Sequence, residues 1–203
     1  MAINSIPNFG WSNVVLRSNT PTQIGEAQNL RRHKRKLPAH RWELEFSTPP
    51  LNQREYREFF AFINNLKGQF GSFEFIHPVY GEPVGNIPAQ GVTVAADAKA
   101  GATRLSLAGF PKIDNEAVKA GDLIKVKGKN KVYGIAHNAK SDKAGIVHVI
   151  LQSPLMEAVA ANTEVIGRQV PFTLSMTEDV TEIEIDGDRG PYVEFVFTAV
   201  EDI

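Results

Sequence analysis

The 203-residue chain is 42% hydrophobic and has a formal charge of −1, a composition typical of folded proteins with substantial cores. It contains no cysteine, which excludes a disulfide framework, a thiolate metal site and a cysteine nucleophile. The sequence has neither a basic and then apolar start nor about 18 consecutive apolar residues, so we expect synthesis in a cytoplasm and no membrane span.

A basic run lies between residues 31 and 36 and has three possible interpretations. It could be a solvated edge or loop whose charges discourage strand pairing, a contact with another subunit or partner, or a nucleic-acid site. Nucleic-acid binding is the weakest of the three, because the run has no interleaved aromatic residues and the whole chain is not basic. The cations of the run are Arg31, Arg32, Lys34, Arg35 and Lys36.

The first clear strand follows this run. Trp42, Leu44 and Phe46 alternate with charged residues, which is the pattern of a strand with one packed face and one wet face. Two consecutive prolines, Pro49 and Pro50, then predict the end of the strand.

A helix is predicted over about residues 52–67. Asn52 and Glu55 have the spacing of a capping box, and Gly68 supplies a left-handed residue at the end. After it, Phe73 and Phe75 restore the alternation of a strand, so we expect the helix to lie across a sheet that both flanking strands join. The apolar face of the helix comprises Tyr56, Phe59, Phe60, Ile63 and Leu66, and we expect Trp42, Phe59, Phe60 and Ile63 to form the core between helix and sheet.

The composition changes after a turn-rich stretch that ends at Pro88. Beyond it, short Val, Ile and Leu segments alternate with Gly, Asp, Asn and Lys, which predicts five or six short strands in a small barrel of the oligonucleotide/oligosaccharide-binding type. We therefore predict a mainly β protein with one principal helix and two domains. Residues 1–88 and 168–203 form a discontinuous, sandwich-like domain, and residues 89–167 form the inserted barrel.

The insert lacks the aromatic residues that sugar and base platforms need. Phe110 and Tyr133 are its aromatic residues, and both are expected in the core or in turns. This favours a spacer or contact module, although binding through loops stays open. Four lysines, at positions 125, 127, 129 and 131, alternate as on a single solvated strand face.

The last 36 residues are strongly acidic, with nine acidic residues against two basic ones. Glu182, Glu184 and Asp186 alternate with isoleucines, which places their carboxylates on one strand face. We hypothesise that this acidic face pairs with the basic run of residues 31–36, within a subunit or between subunits. Exposed pairs of this kind contribute about 0 to 1 kcal/mol each, so they would set register more than strength.

The sequence has no pattern of catalytic, cofactor-binding or metal-binding residues. The five histidines lack the close spacing of metal ligands, and neither a nucleophile elbow nor a phosphate-binding loop occurs. We therefore expect a protein that is not an enzyme and needs no cofactor.

The order of motifs resembles the distal tail proteins of long-tailed bacteriophages. The resemblance lies in the W-x-L-x-F strand at Trp42, the aromatic helix, the following LKGQFGSFEF segment, and an insert with AGDLIKVKG and a final SPL. It extends to the return of the chain through a P-x-x-L strand, Pro171 to Leu174, and a last hairpin that includes Tyr192 to Glu201.

The resemblance implies a structural protein of the virion tail. In that family the first domain forms a hexameric ring continuous with the tail tube, and the inserted barrel projects outward. The implied partners are other copies of the chain, the tail tube protein and the hub or tip proteins, while DNA passes through the ring as cargo. A sister tail-tip or baseplate protein, a carbohydrate- or receptor-binding tail module, and a tail-associated hydrolase are the alternatives.

Overall fold

The computed structural model describes residues 4–180 and 192–203. These residues are mainly β with one α-helix, α1 (Gln53–Leu66), so the predicted mainly β class with one principal helix is confirmed. A short 3₁₀ helix, Gly68–Phe70, follows α1. The strands are β1 (Asn4–Ser5), β2 (Asn13–Asn19), β3 (Thr22–Glu26), β4 (Arg32–Lys36), β5 (Arg41–Ser47), β6 (Ser72–Ile76), β7 (Thr93–Val94), β8 (Arg104–Ala108), β9 (Leu123–Val126), β10 (Val132–Gly134), β11 (Val147–Ile150), β12 (Val165–Ile166), β13 (Pro171–Met176) and β14 (Val196–Glu201).

The chain divides into two compact units. Unit 1 comprises Met1–Ser18, Trp42–Phe75 and Phe172–Ile203, and unit 2 comprises Asn19–Arg41 and Ile76–Pro171. The predicted domain boundaries after residues 88 and 167 lie inside unit 2, and the segment that holds the basic run groups with unit 2 as well. Whether each unit folds as an independent domain stays a prediction.

Unit 1 is built on a six-stranded sheet with the order β1-β6-β13-β14-β5-β2. Strands β13, β14 and β5 are antiparallel neighbours, and β1 runs parallel to β6. Leu44 and Phe46 of β5 lie opposite Ala199 and Phe197 of β14, which puts these residues on one buried face of the sheet. The predicted alternation in β5 is confirmed, because Trp42, Leu44 and Phe46 are all buried.

Helix α1 begins at the predicted capping box. The Asn52 side chain accepts hydrogen bonds from the backbone N–H groups of Arg54 and Glu55, and the Glu55 carboxylate accepts one from the Asn52 N–H at 2.9 Å. The helix ends one residue earlier than predicted, because Lys67 already has the left-handed conformation with φ 57° and Gly68 continues it at φ 66°.

The core of unit 1 is a cluster of aromatic rings around Phe59. This ring is fully buried, and its centroid lies 5.0 Å from that of Phe195 and 5.7 Å from that of Phe197. Phe46 stacks on Phe197 with centroids 4.8 Å apart. Trp42, Phe59 and Ile63 are buried as predicted, whereas Phe60 is half-buried because it lies towards the side of the helix.

The insert in unit 2 has the six predicted short strands, but they do not close into a barrel. They form two three-stranded sheets, β10-β9-β12 and β11-β8-β7, that enclose one core of buried residues. Single bridges join the sheet margins, Thr93 with Glu164 and Ile135 with Leu151. Strands of two to five residues are too short to extend these bridges into continuous ladders.

Candidate assembly surfaces

The basic run forms one strand of an exposed hairpin. β3 and β4 pair antiparallel from Thr22 opposite Lys36 to Glu26 opposite Arg32. The turn is closed by a hydrogen bond from the Ala27 N–H to the Arg31 carbonyl at 3.0 Å, and Leu30 takes a left-handed conformation. We define the basic hairpin as residues 22–36. The basic run therefore lies in an exposed, paired ribbon, and which of its three interpretations applies stays a prediction.

Every strand residue of the basic hairpin is exposed. The register places Arg32, Lys34 and Lys36 on one face, together with Ile24, and Arg35 on the other face. Cations therefore lie on both faces of the ribbon. Within the described residues, no ion pair involves any of the five cations of the run.

The acidic half of the predicted pairing lies outside the described residues. Glu182, Glu184 and Asp186 all fall within residues 181–191, so their pairing with the basic run stays a prediction. The composition of the two units gives a broader contrast. Unit 1 contains 14 acidic and five basic residues, a formal charge of −9, whereas unit 2 contains nine acidic and 17 basic residues, a formal charge of +8.

Within residues 4–180 and 192–203, the sheet of unit 1 ends at β2 on one side and at β1 on the other. β2 has seven residues and contains neither proline nor lysine, the residues that commonly protect an edge strand. Its one charged residue is Arg17, which forms an ion pair with Glu45 of β5 at 2.5 Å. β1 is two residues long and pairs in parallel with Phe73 and Glu74 of β6.

Two lysines predicted on a solvated face are buried in unit 2, and that prediction was wrong. Lys125 is 5% exposed and donates from Nζ to the Pro171 carbonyl at 2.9 Å. Lys131 is 4% exposed and donates from Nζ to His40 Nδ1 at 3.0 Å. Lys127 and Lys129 are the outward members of the series and pair with Glu164 and Glu157.

The contact between His40 and Lys131 joins the segment after the basic hairpin to the insert, within unit 2. Burial, and then the positive charge of Lys131, lowers the pKa of His40 from 6.5 to about 4. His40 is therefore neutral near pH 7, and its Nδ1 carries the lone pair that accepts the Lys131 hydrogen bond. No local sequence signal marked this residue, since its partner is 91 positions away.

The AGD motif of the insert is a structural clamp. Asp122 is buried, and its carboxylate accepts from the backbone N–H groups of Val84, Gly85 and Lys119 at 2.7, 3.2 and 2.8 Å. The preceding Gly121 has φ 94°, a conformation that favours glycine. The Asp122 side chain thus fixes the stretch around Val84 and Gly85, through which the chain enters the insert.

The aromatic residues of the insert are part of its core, as expected. Phe110 is 6% exposed and Tyr133 is 4% exposed, and the Tyr133 hydroxyl accepts from the Met156 N–H at 3.0 Å. Neither ring can stack on a sugar or a base without unpacking the core.

The described part of the chain offers no cluster of His, Asp or Glu able to hold a metal ion. His77 shows how one histidine is used instead: its Nδ1 accepts from the backbone N–H groups of Val79 and Tyr80, both at 3.1 Å. Burial lowers the pKa of His77, which keeps the acceptor available. No helix among residues 4–180 and 192–203 has the length and apolar character of a membrane span.

Comparison with known proteins does not assign the chain to a family. No protein-family model matches the sequence, and a search of curated proteins finds no match.

Proposed function

We propose that this chain is a structural protein of a long-tailed bacteriophage, forming a ring that joins the tail tube to the distal tip or hub. The proposal is supported by the order of sequence motifs and by one structural observation above all. Among the residues that the structure describes, the six-stranded sheet of unit 1 ends in an edge strand, β2, that lacks the usual protection against pairing with another chain. A closed ring of subunits removes such edges.

The edge strand has the properties of a pairing surface. The backbone N–H of Ser12, just before β2, donates to the Ser47 carbonyl of β5 at 2.9 Å. Because backbone groups of successive strand residues point to opposite sides, every second residue of β2 from Asn13 onwards, including Val15 and Arg17, directs its N–H and carbonyl away from β5. The alternation predicts that the Val15 N–H points to the side of β2 opposite to β5. A strand from a neighbouring subunit would satisfy these backbone groups and extend the sheet from one copy to the next.

In this role the chain is a component of the virion tail. The resemblance implies a ring of about six subunits, with tail tube protein on one side and hub or tip proteins on the other. DNA crosses the ring as cargo during genome ejection. The mechanism is assembly and not chemical turnover.

The alternative functions have less support. A carbohydrate- or receptor-binding module needs exposed rings, and those of the insert are buried. A tail-associated hydrolase needs a nucleophile, a metal or a carboxylate pair in a cleft, and the sequence has no motif for one. Neither function is favoured by a particular observation on the described residues.

Negative-stain imaging of the purified chain, compared with an edge variant, tests the proposal. Val15→Pro removes one outward N–H and should abolish ring formation, because proline cannot donate to a neighbouring strand. Val15→Thr keeps that N–H and is the matched control, which should form rings as the wild type does. Rings that persist in Val15→Pro, or open filaments in place of rings in the wild type, would count against the proposal.

A further inference from the structure

The basic hairpin has the features of an arm that binds another molecule. It presents five cations in six residues, on both faces of a two-stranded ribbon, and all ten of its strand residues are exposed. A single two-stranded hairpin is marginally stable in water, so a ribbon of this kind gains order when a partner covers it. Its charge restricts the partner to an acidic surface.

Unit 1 of the chain is net acidic and has the opposite charge to the hairpin. The formal charge of unit 1 is −9 and that of unit 2, which includes the hairpin, is +8. Exposed carboxylates occur on separate elements of unit 1, on α1, after β13 and before β14. Members of this set are Glu58, Glu178 and Glu194.

We infer that the basic hairpin of one copy binds the acidic unit 1 of a second copy of this chain. The contact is heterologous, because it joins two different surfaces of identical subunits, and such contacts produce rings when the rotation closes. The inference rests on the proposed ring function. It adds a second contact between neighbouring subunits, besides the pairing of strands. It makes the attraction between subunits electrostatic at long range and therefore dependent on salt.

Nucleic acid is the other acidic partner that fits a basic ribbon, since the major groove of DNA admits two antiparallel strands. The charge of unit 1 favours a second copy as the occupant.

Sedimentation velocity on the full chain, at about 50 mM and about 500 mM salt, tests the inference. The test variant reverses one face of the hairpin with Arg32→Glu, Lys34→Glu and Lys36→Glu. The matched control reverses three exposed lysines elsewhere in unit 2 with Lys99→Glu, Lys112→Glu and Lys143→Glu, so that both variants change the charge of this unit equally. Circular dichroism checks that each variant is folded.

We expect wild-type association to weaken at high salt, and the hairpin variant to associate about tenfold or more weakly than the control variant. A partner variant with Glu58→Lys, Glu178→Lys and Glu194→Lys should restore association when it is mixed with the hairpin variant. Equal losses in the test and control variants would overturn the inference, and so would an unchanged hairpin variant or a wild type that never associates. Hairpin-dependent binding to duplex DNA without self-association would also overturn it, in favour of a nucleic-acid partner.

Imaging of the same samples separates this inference from the proposed function. Rings that survive reversal of the hairpin would overturn the hairpin contact and leave the ring function standing. Hairpin-dependent association into particles that are not rings would support the contact and contradict the ring function.

Discussion

Units 1 and 2 are stabilised in different ways. Unit 1 buries a cluster of stacked and edge-on aromatic rings between one helix and one sheet. Unit 2 has short strands over a mainly aliphatic core, and its loops are tied by side-chain hydrogen bonds to the backbone, as by Asp122 and Ser141. The difference indicates that unit 1 depends most on the shape complementarity of its rings, whereas unit 2 combines an aliphatic core with loops that are fixed by side-chain hydrogen bonds.

The largest expected effect is the loss of the central ring of unit 1. Phe59→Ala should lower the free energy of unfolding by about 3 to 5 kcal/mol, because it removes a fully buried ring and leaves a cavity. Chemical denaturation measures this loss. Phe70→Ala is the control, since Phe70 is 69% exposed and its removal should change the stability little. Similar losses in both variants would place the core of unit 1 elsewhere.

Removal of the clamp in unit 2 should have the next largest effect. Asp122→Ala leaves three backbone N–H groups without their acceptor and should cost about 2 to 4 kcal/mol. Asp142→Ala is the matched control. Asp142 also accepts from backbone N–H groups, those of Ala144 and Ile146, but it is exposed and water can replace it. If Asp142→Ala lowers the free energy of unfolding as much as Asp122→Ala does, burial of Asp122 is not the reason for its large contribution to stability.

The smallest of these effects depends on pH and involves His40. Its pKa is about 4 in the folded chain and near 6.5 when unfolded, so the unfolded chain binds more protons between these values. Stability from this group is therefore present above about pH 6.5 and is lost as the pH falls towards 4, by about 2 kcal/mol between pH 7 and pH 4.5.

Denaturation of wild type and His40→Gln at pH 7 and pH 4.5 measures this dependence. Glutamine keeps an acceptor for Lys131 but does not titrate, so the variant should lose less stability on acidification. Lys131→Met removes the nearby positive charge, which should raise the pKa of His40 and narrow the pH range over which this residue affects stability. Equal acid sensitivity of wild type and His40→Gln would contradict a buried neutral His40.

Local patterns predicted which segments form strands and helices more reliably than they predicted which side chains are buried. Period-2 alternation identified β5 and β6, and the capping box identified the start of α1, because these signals lie within a few residues. The burial of Lys125 and Lys131 was missed, since the groups that cover them come from distant segments. Trp11 was missed in the same way: it contacts Phe46 and Phe75 but precedes any regular pattern.

The candidate assembly surfaces were only partly predictable. The basic run is evident in the sequence, but its pairing with β3 as a fully exposed ribbon is not, because Thr22 to Glu26 has no strong strand signal. The grouping of this hairpin with the insert depends on contacts such as that between His40 and Lys131, which no local pattern encodes. The acidic segment was recognised from composition, and its structure lies outside the described residues.

Native mass spectrometry of the full chain over a range of concentrations is the decisive measurement for assembly into a ring. We expect one dominant closed species of about six subunits that dissociates on dilution and at high ionic strength. A monomer at every concentration, which also fails to bind to isolated tail tubes, would contradict the claim.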